Sequence, residues 1–181
     1  MTTASHDPST EAQRVATPSR IGLVGYGEVG RILAEDLRER GATVSACDLK
    51  LADPAAAAPL VAHAERHGVR LAASHADVAA GAELLICAVT ASQTVAAARM
   101  SSTGIERGAF FLDVNSASPA AKCEAAEAIA AAGGRYVEGA VMTSVPPYRI
   151  RVPLLLGGEH AHALDTHCAR WASIRGWSAN G

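Results

Sequence analysis

The stretch Ile21–Leu37, IGLVGYGEVGRILAEDL, opens with a short apolar run and then sets glycines at Gly25, Gly27 and Gly30. Such spacing carries chemistry only where a strand leads into it and a helix leads out of it. Both conditions are met: Ile21–Val24 reads as a strand and Glu28–Arg40 as an amphipathic helix, ended by Gly41. In that context Gly25 permits the tight turn, Gly27 lets a pyrophosphate approach the backbone, and Gly30 lets the helix pack on the strand. The open N–H groups of the first helical turn, with the helix dipole, then attract phosphate.

A second strand, Thr43–Cys47, ends at Asp48, 18 residues after Gly30. A carboxylate at that spacing accepts hydrogen bonds from the ribose hydroxyls and repels a 2′-phosphate, so it favours NAD over NADP. Lys50, two residues on, weighs the other way by offsetting phosphate charge. The competing reading is a structural glycine turn in an unrelated α/β fold, with Asp48 a solvated strand end. It accounts for the loop alone and not for the strand, helix and acid together.

Outward from the loop, strand-length apolar runs alternate with helix-like stretches. A loop containing ADPAAAA is expected to lead to a helix over Pro59–His67, then a short strand over Val69–Ala72. Leu84–Val89 and Ala109–Val114 read as strands buried on both faces, with Ala91–Met100 helical between them. Ser118 and Pro119 mark the start of a helix that stops at Gly133–Gly134. Arg135–Ala140 and Pro153–Leu156 follow as strands, and His160–Trp171 as a last helix. The expected fold class is α/β: a Rossmann-type, doubly wound, mostly parallel sheet with helices on both faces. Residues 1–19 read as a polar, disordered leader and residues 20–181 as the nucleotide-binding domain.

Composition narrows the function classes. The chain has 181 residues and a net charge of −2 with both signs interspersed, which argues against a nucleic-acid partner. No apolar run approaches the ~18 residues of a membrane span. The four cysteines lack a C-x-x-C pair and read as reduced, mostly core thiols, as in a cytoplasmic protein. No metal site is expected. His160, His162 and His167 do not share a helical face, and His63 and His67, four apart, read as solvated. Ser116 and Ser118 lack a nucleophile elbow, and Glu124 and Glu127 read as the wet side of a helix.

Four stretches make the chain resemble the β-hydroxyacid dehydrogenases, relatives of 6-phosphogluconate dehydrogenase. These are GLVGYGEVG, ICAVTASQTV, FLDVNSASP and GGRYVEGAVMTSVPPYRIRVPLLLGG, spread from about Arg20 to Gly158. The resemblance implies hydride transfer between a nicotinamide cofactor, NAD or NADP, and a small hydroxy acid. The loop reading and the resemblance together assign cofactor contacts to Gly25, Tyr26, Gly27, Glu28, Val29, Gly30, Asp48, Val89, Thr90 and Ser116, with Thr94 as a further candidate by resemblance.

Two departures stand out. The family's Ser-Gly-Gly substrate loop is here Met142-Thr143-Ser144, leaving Thr143 and Ser144 as the substrate-contact candidates. Arg149 and Arg151 nearby read either as partners for a carboxylate or phosphate, or as a solvated turn. The family's acid/base lysine sits on a long helix after the first domain, whereas the two lysines here are Lys50 and Lys122. No catalytic residue is therefore assigned. The resemblance also implies that a helical C-terminal domain, which builds the family's homodimer, is due near where the chain stops. An apolar docking surface for it is expected. A non-catalytic or truncated dinucleotide-binding module is the alternative reading.

Overall fold

The computed structural model describes residues 20–172 and 177–178; the polar leader expected over residues 1–19 lies outside the described residues. Among the described residues, eight strands form one sheet in the order β3-β2-β1-β4-β5-β6-β7-β8. β1 (Arg20–Val24), β2 (Thr43–Cys47), β3 (Arg70–Leu71), β4 (Leu84–Cys87), β5 (Phe110–Asp113) and β6 (Arg135–Val141) run parallel. β7 (Leu154–Gly157) turns antiparallel to β6, and β8 (Trp177–Ser178) follows β7 in parallel. The order reverses beside β1, whose neighbours are β2 and β4, and that switch point is where open α/β sheets bind ligands.

Because side chains alternate along a strand, each central strand feeds two cores. Ile21, Leu23, Leu84, Ile86, Phe110 and Leu112 face a cluster that includes Leu33 and Leu37 of α1 (Glu28–Glu39), Leu60 of α2 (Pro54–His67) and Leu164 of α7 (Ala161–Ala172). Val24, Leu85, Cys87 and Phe111 face the other cluster, completed by α3 (His75–Ala79), α4 (Thr94–Ser102) and α5 (Pro119–Ala131). On this second face the helices contribute mainly alanines, among them Ala97, Ala98 and Ala125. Small side chains let those helices sit close to the sheet, which explains the alanine-rich composition.

The expected elements are present, and the differences include three connections. The helix expected over Pro59–His67 begins five residues earlier. Asp53 accepts a bond from the Ala55 N–H, and Pro54 occupies the first helical position, so the alanine run is helix and not loop. The segment after β3 forms the short α3, capped by Ser74, whose five residues are too few for a periodic signal. A one-turn helix α6 (Val145–Tyr148) and a 3-10 turn Arg149–Arg151 occupy the β6–β7 connection.

Arg149 has φ 56, unusual for a side-chain-bearing residue. Its Nε donates to Asp36 Oδ1 (2.8 Å), its Nη2 to Glu35 Oε2 (2.6 Å), and the next N–H, of Ile150, to Asp36 Oδ2 (2.9 Å). Arg149 is thus engaged by carboxylates of α1, which neither reading for it anticipated. Arg151 is exposed.

The cysteines divide three to one. Cys47, Cys87 and Cys168 are buried, and burial pushes each thiol up to about 12; Cys123 is exposed. Thiolate is the reactive form. A thiol-titrating disulfide reagent at pH 8 should therefore react rapidly with one group per folded chain and with four after unfolding. A second fast thiol would contradict the packing described.

Candidate functional site

A cleft of about 380 Å³ opens at the carboxyl end of β1. Its lining includes Gly25, Gly27, Glu28, Val29, Asp48, Leu49, Lys50, His75, Val89, Thr90 and Met100. Two of the loop's three glycines have a steric cause within the protein. Gly25 has φ +95, and a Cβ there would come 2.3 Å from the Ala88 carbonyl oxygen. A Cβ on Gly30 would come 2.2 Å from the Gly25 carbonyl oxygen, so helix and loop touch backbone to backbone. A Cβ on Gly27 would meet nothing within 4 Å, so it would project into free space. Gly27 is also the N-cap of α1 and offers no side-chain cap, which leaves donors at the start of a 12-residue helix open to an anion. These features fit a dinucleotide pyrophosphate. The Glu28 carboxylate, in the first turn, competes for the same positive end of the helix.

Asp48 lines the same cleft, bonded to the glycine loop. Its Oδ2 accepts from the Tyr26 N–H (2.8 Å) and its Oδ1 from the Lys50 N–H (2.9 Å). The acid thus positions the glycine loop as well as lining the cleft. Each carboxylate oxygen retains a lone pair for a further donor. Lys50 and the exposed Leu49 and Met100 also line the cleft. His75, which the sequence reading passed over, is buried, and burial lowers the pKa of its imidazole below the ordinary range.

The other sequence-selected residues separate into three groups. Val89 and Thr90 line the cleft with the glycine loop. Gly30 and Tyr26 shape it from behind. The Tyr26 side chain is fully buried, and its hydroxyl lies 2.8 Å from His63 Nδ1 rather than in the cleft; burial pushes the phenol up to about 12. Ser116, on the loop after β5, and Thr143 and Ser144, after β6, are exposed and outside the cleft lining. Thr94 is buried. Ser118 caps α5 by accepting from the Ala121 N–H.

Sequence reasoning missed the brace beneath the site. Asn115 Oδ1 accepts from the Val89 N–H (2.7 Å), its Nδ2 donates to Cys87 Sγ (3.3 Å), and its N–H donates to Asp113 Oδ1 (2.9 Å). Asp113, fully buried, also accepts from the Tyr136 hydroxyl (2.7 Å), and the Lys122 Nζ bonds its carbonyl (3.3 Å). The loops after β4 and β5 are therefore tied together. The signal was present in the polar DVN that ends an otherwise apolar strand.

His63 and His67 correct another expectation. His63 is buried, not solvated, because α2 lies on α1: its Nε2 is 2.8 Å from Glu35 Oε1. Together with Arg149, His63 holds the Glu35 carboxyl below the usual carboxylate range.

The architecture and the cleft define a dinucleotide-binding α/β domain. The profile of the NAD-binding domain of 6-phosphogluconate dehydrogenase matches residues 20–163, and the chain belongs to that family. The comparison with curated proteins finds no match. Among solved structures, a conserved hypothetical protein from Sinorhizobium meliloti 1021 is 35% identical, with a TM-score of 0.79 over 87% of this chain and 52% of its own. A conserved protein of unknown function, described as similar to 3-hydroxyacid dehydrogenases, is 26% identical, with a TM-score of 0.69 over 88% of this chain and 55% of its own. An imine reductase from Myxococcus stipitatus, solved with NADP+, shares the fold at 20% identity and a TM-score of 0.68, over 86% and 52% of the two chains. The chain spans about half the length of these structures. Among the described residues, no helix is long and apolar enough to cross a membrane.

Proposed function

We propose that the chain binds NAD or NADP in the cleft and is the cofactor-holding part of an oxidoreductase of the β-hydroxyacid dehydrogenase type. The observation that carries this reading is that the uncapped start of α1 and Asp48 line one cleft. Gly25, Gly27, Glu28 and Val29 would hold the pyrophosphate, and Asp48 the adenosine ribose. Val89, Thr90 and Ser116 would contact the nicotinamide half, and Tyr26 and Gly30 would keep the loop in shape. When bound, the cofactor supplies the hydride chemistry; the protein supplies position and exclusion of water. Thr143 and Ser144 are proposed to contact a small hydroxy acid.

A second reading, a binding module without turnover of its own, is favoured by the fate of the lysines. Lys122 is buried, with its Nζ 3.4 Å from Glu138 and 3.8 Å from Asp113 Oδ1, and Lys50 lines the cofactor cleft. Lys122 is thus engaged by carboxylates, and neither lysine is proposed as the acid/base.

Calorimetric titration with NAD and NADP, followed by hydride-transfer assays on a panel of hydroxy acids, tests both readings. Binding with turnover supports the enzyme, binding without turnover supports the module, and no binding of either dinucleotide removes both. Asp48→Asn keeps an acceptor for the Tyr26 N–H but loses the charge. It is expected to weaken NAD by about tenfold, since a hydrogen bond to a charged group contributes about 1.5–3 kcal/mol, and to move the preference toward NADP. Unchanged NAD affinity would remove Asp48 from the ribose role.

A further inference from the structure

Behind the glycine loop, three metal-ligating side chains converge between α1 and α2. His63 and His67 stand four apart on α2, with ring centroids 4.5 Å apart and planes at 28°. Glu35 of α1 faces both, its Oε1 lying 2.8 Å from His63 Nε2 and 4.0 Å from His67 Nε2. One donor atom from each residue falls within 4.8 Å of the others. We propose that Glu35, His63 and His67 bind a divalent transition cation of the Zn²⁺ class, separate from the dinucleotide cleft.

The spacing suits such an ion. Tetrahedral ligands about 2.1 Å from zinc stand about 3.4 Å apart, and the two measured separations bracket that value, so small rotamer shifts admit the ion. Two imidazoles and a carboxylate match the preferences of Zn²⁺ and its neighbours rather than Ca²⁺ or Mg²⁺. The surroundings hold the ligands in place. The Tyr26 hydroxyl occupies His63 Nδ1, which leaves Nε2 for the ion, and Arg149 occupies Glu35 Oε2, which leaves Oε1. The Arg38 Nε donates to the His67 carbonyl (3.2 Å), pinning the end of α2 to α1. The Arg149 charge is offset by Asp36, so with neutral imidazoles the cluster keeps the single negative charge of Glu35. The side chains of Glu35 and His67 are 25% and 28% exposed, enough for the ion to enter and for water to take a fourth position.

The chelator-treated chain is titrated with Zn²⁺ against a chromophoric competitor, and with Co²⁺ as a visible-absorption probe. One ion per chain is expected, together with a Co²⁺ spectrum of low-coordination type and a rise in Tm on adding Zn²⁺. His67→Ala, at the most exposed ligand, should weaken Zn²⁺ at least tenfold and abolish both the Co²⁺ band and the Tm rise. His67→Gln, which keeps the bulk, replaces it if the alanine variant does not melt cooperatively. Tyr26→Phe should weaken the ion by about tenfold or more, and a His160→Ala, His162→Ala double variant should bind as the parent does. Absence of one-to-one binding, or a His67 variant that binds as tightly as the parent, overturns the proposal.

Discussion

Gly30→Ala is expected to abolish measurable dinucleotide binding and to lower stability by about 2 kcal/mol. Alanine is the better helix former by about 1 kcal/mol, so propensity alone predicts the opposite sign. The clash decides. The added Cβ would lie 2.2 Å from the Gly25 carbonyl oxygen, and the obstacle is backbone rather than a side chain that can swing away. Forcing an extra carbon into such a contact costs roughly 1–3 kcal/mol or more. The relief available is for α1 to move off the loop, which also removes its N-terminal donors from the cleft. Urea midpoints and calorimetric titration with both cofactors measure the two effects. A variant with parental midpoint and parental affinity would show that helix and loop do not need this contact.

Asp113→Ala is expected to cost about 3–5 kcal/mol, the range for breaking a buried ion pair from one side. The carboxylate is fully buried and serves Tyr136, Asn115 and Lys122 together. Its removal strands a buried ammonium that keeps only the partly exposed Glu138 and one carbonyl. Lys122→Met is the informative contrast. It removes the countercharge and keeps the volume, but the buried Asp113 carboxylate keeps two hydrogen bonds, so the expected loss is at the low end of that range, about 3 kcal/mol, and below that of Asp113→Ala. Equal losses in the two variants would mean that the lysine, not the hydrogen-bonded carboxylate, holds the brace.

How far these features were legible depended on whether their causes were local. β1, β4 and β5 were readable because strands buried on both faces are written as near-continuous apolar runs. The glycine loop and Asp48 were readable because their spacing is set by one strand–helix–strand unit. The start of α2 was locally encoded by Asp53 and Pro54, yet the alanine and proline content drew the reading toward a loop. His63 was a different case: its burial depends on α2 meeting Glu35 on α1, a contact between elements that no spacing within either helix reports. Tyr26 is the mixed example. Its position in the loop was plain, but its side chain serves the interior while only its backbone serves Asp48.

The place of β1 in the sheet has a consequence for how the molecule is assembled in time. β1 pairs with β2 close by in the chain but also with β4, where Ile21 lies opposite Leu84. Closing that long-range pair costs chain entropy before neighbouring contacts return it, which slows folding. The Ala88 carbonyl that confines Gly25 arrives only with β4. A chain emerging N-terminus first therefore displays its glycine motif early but has no cradle until the fourth strand has joined.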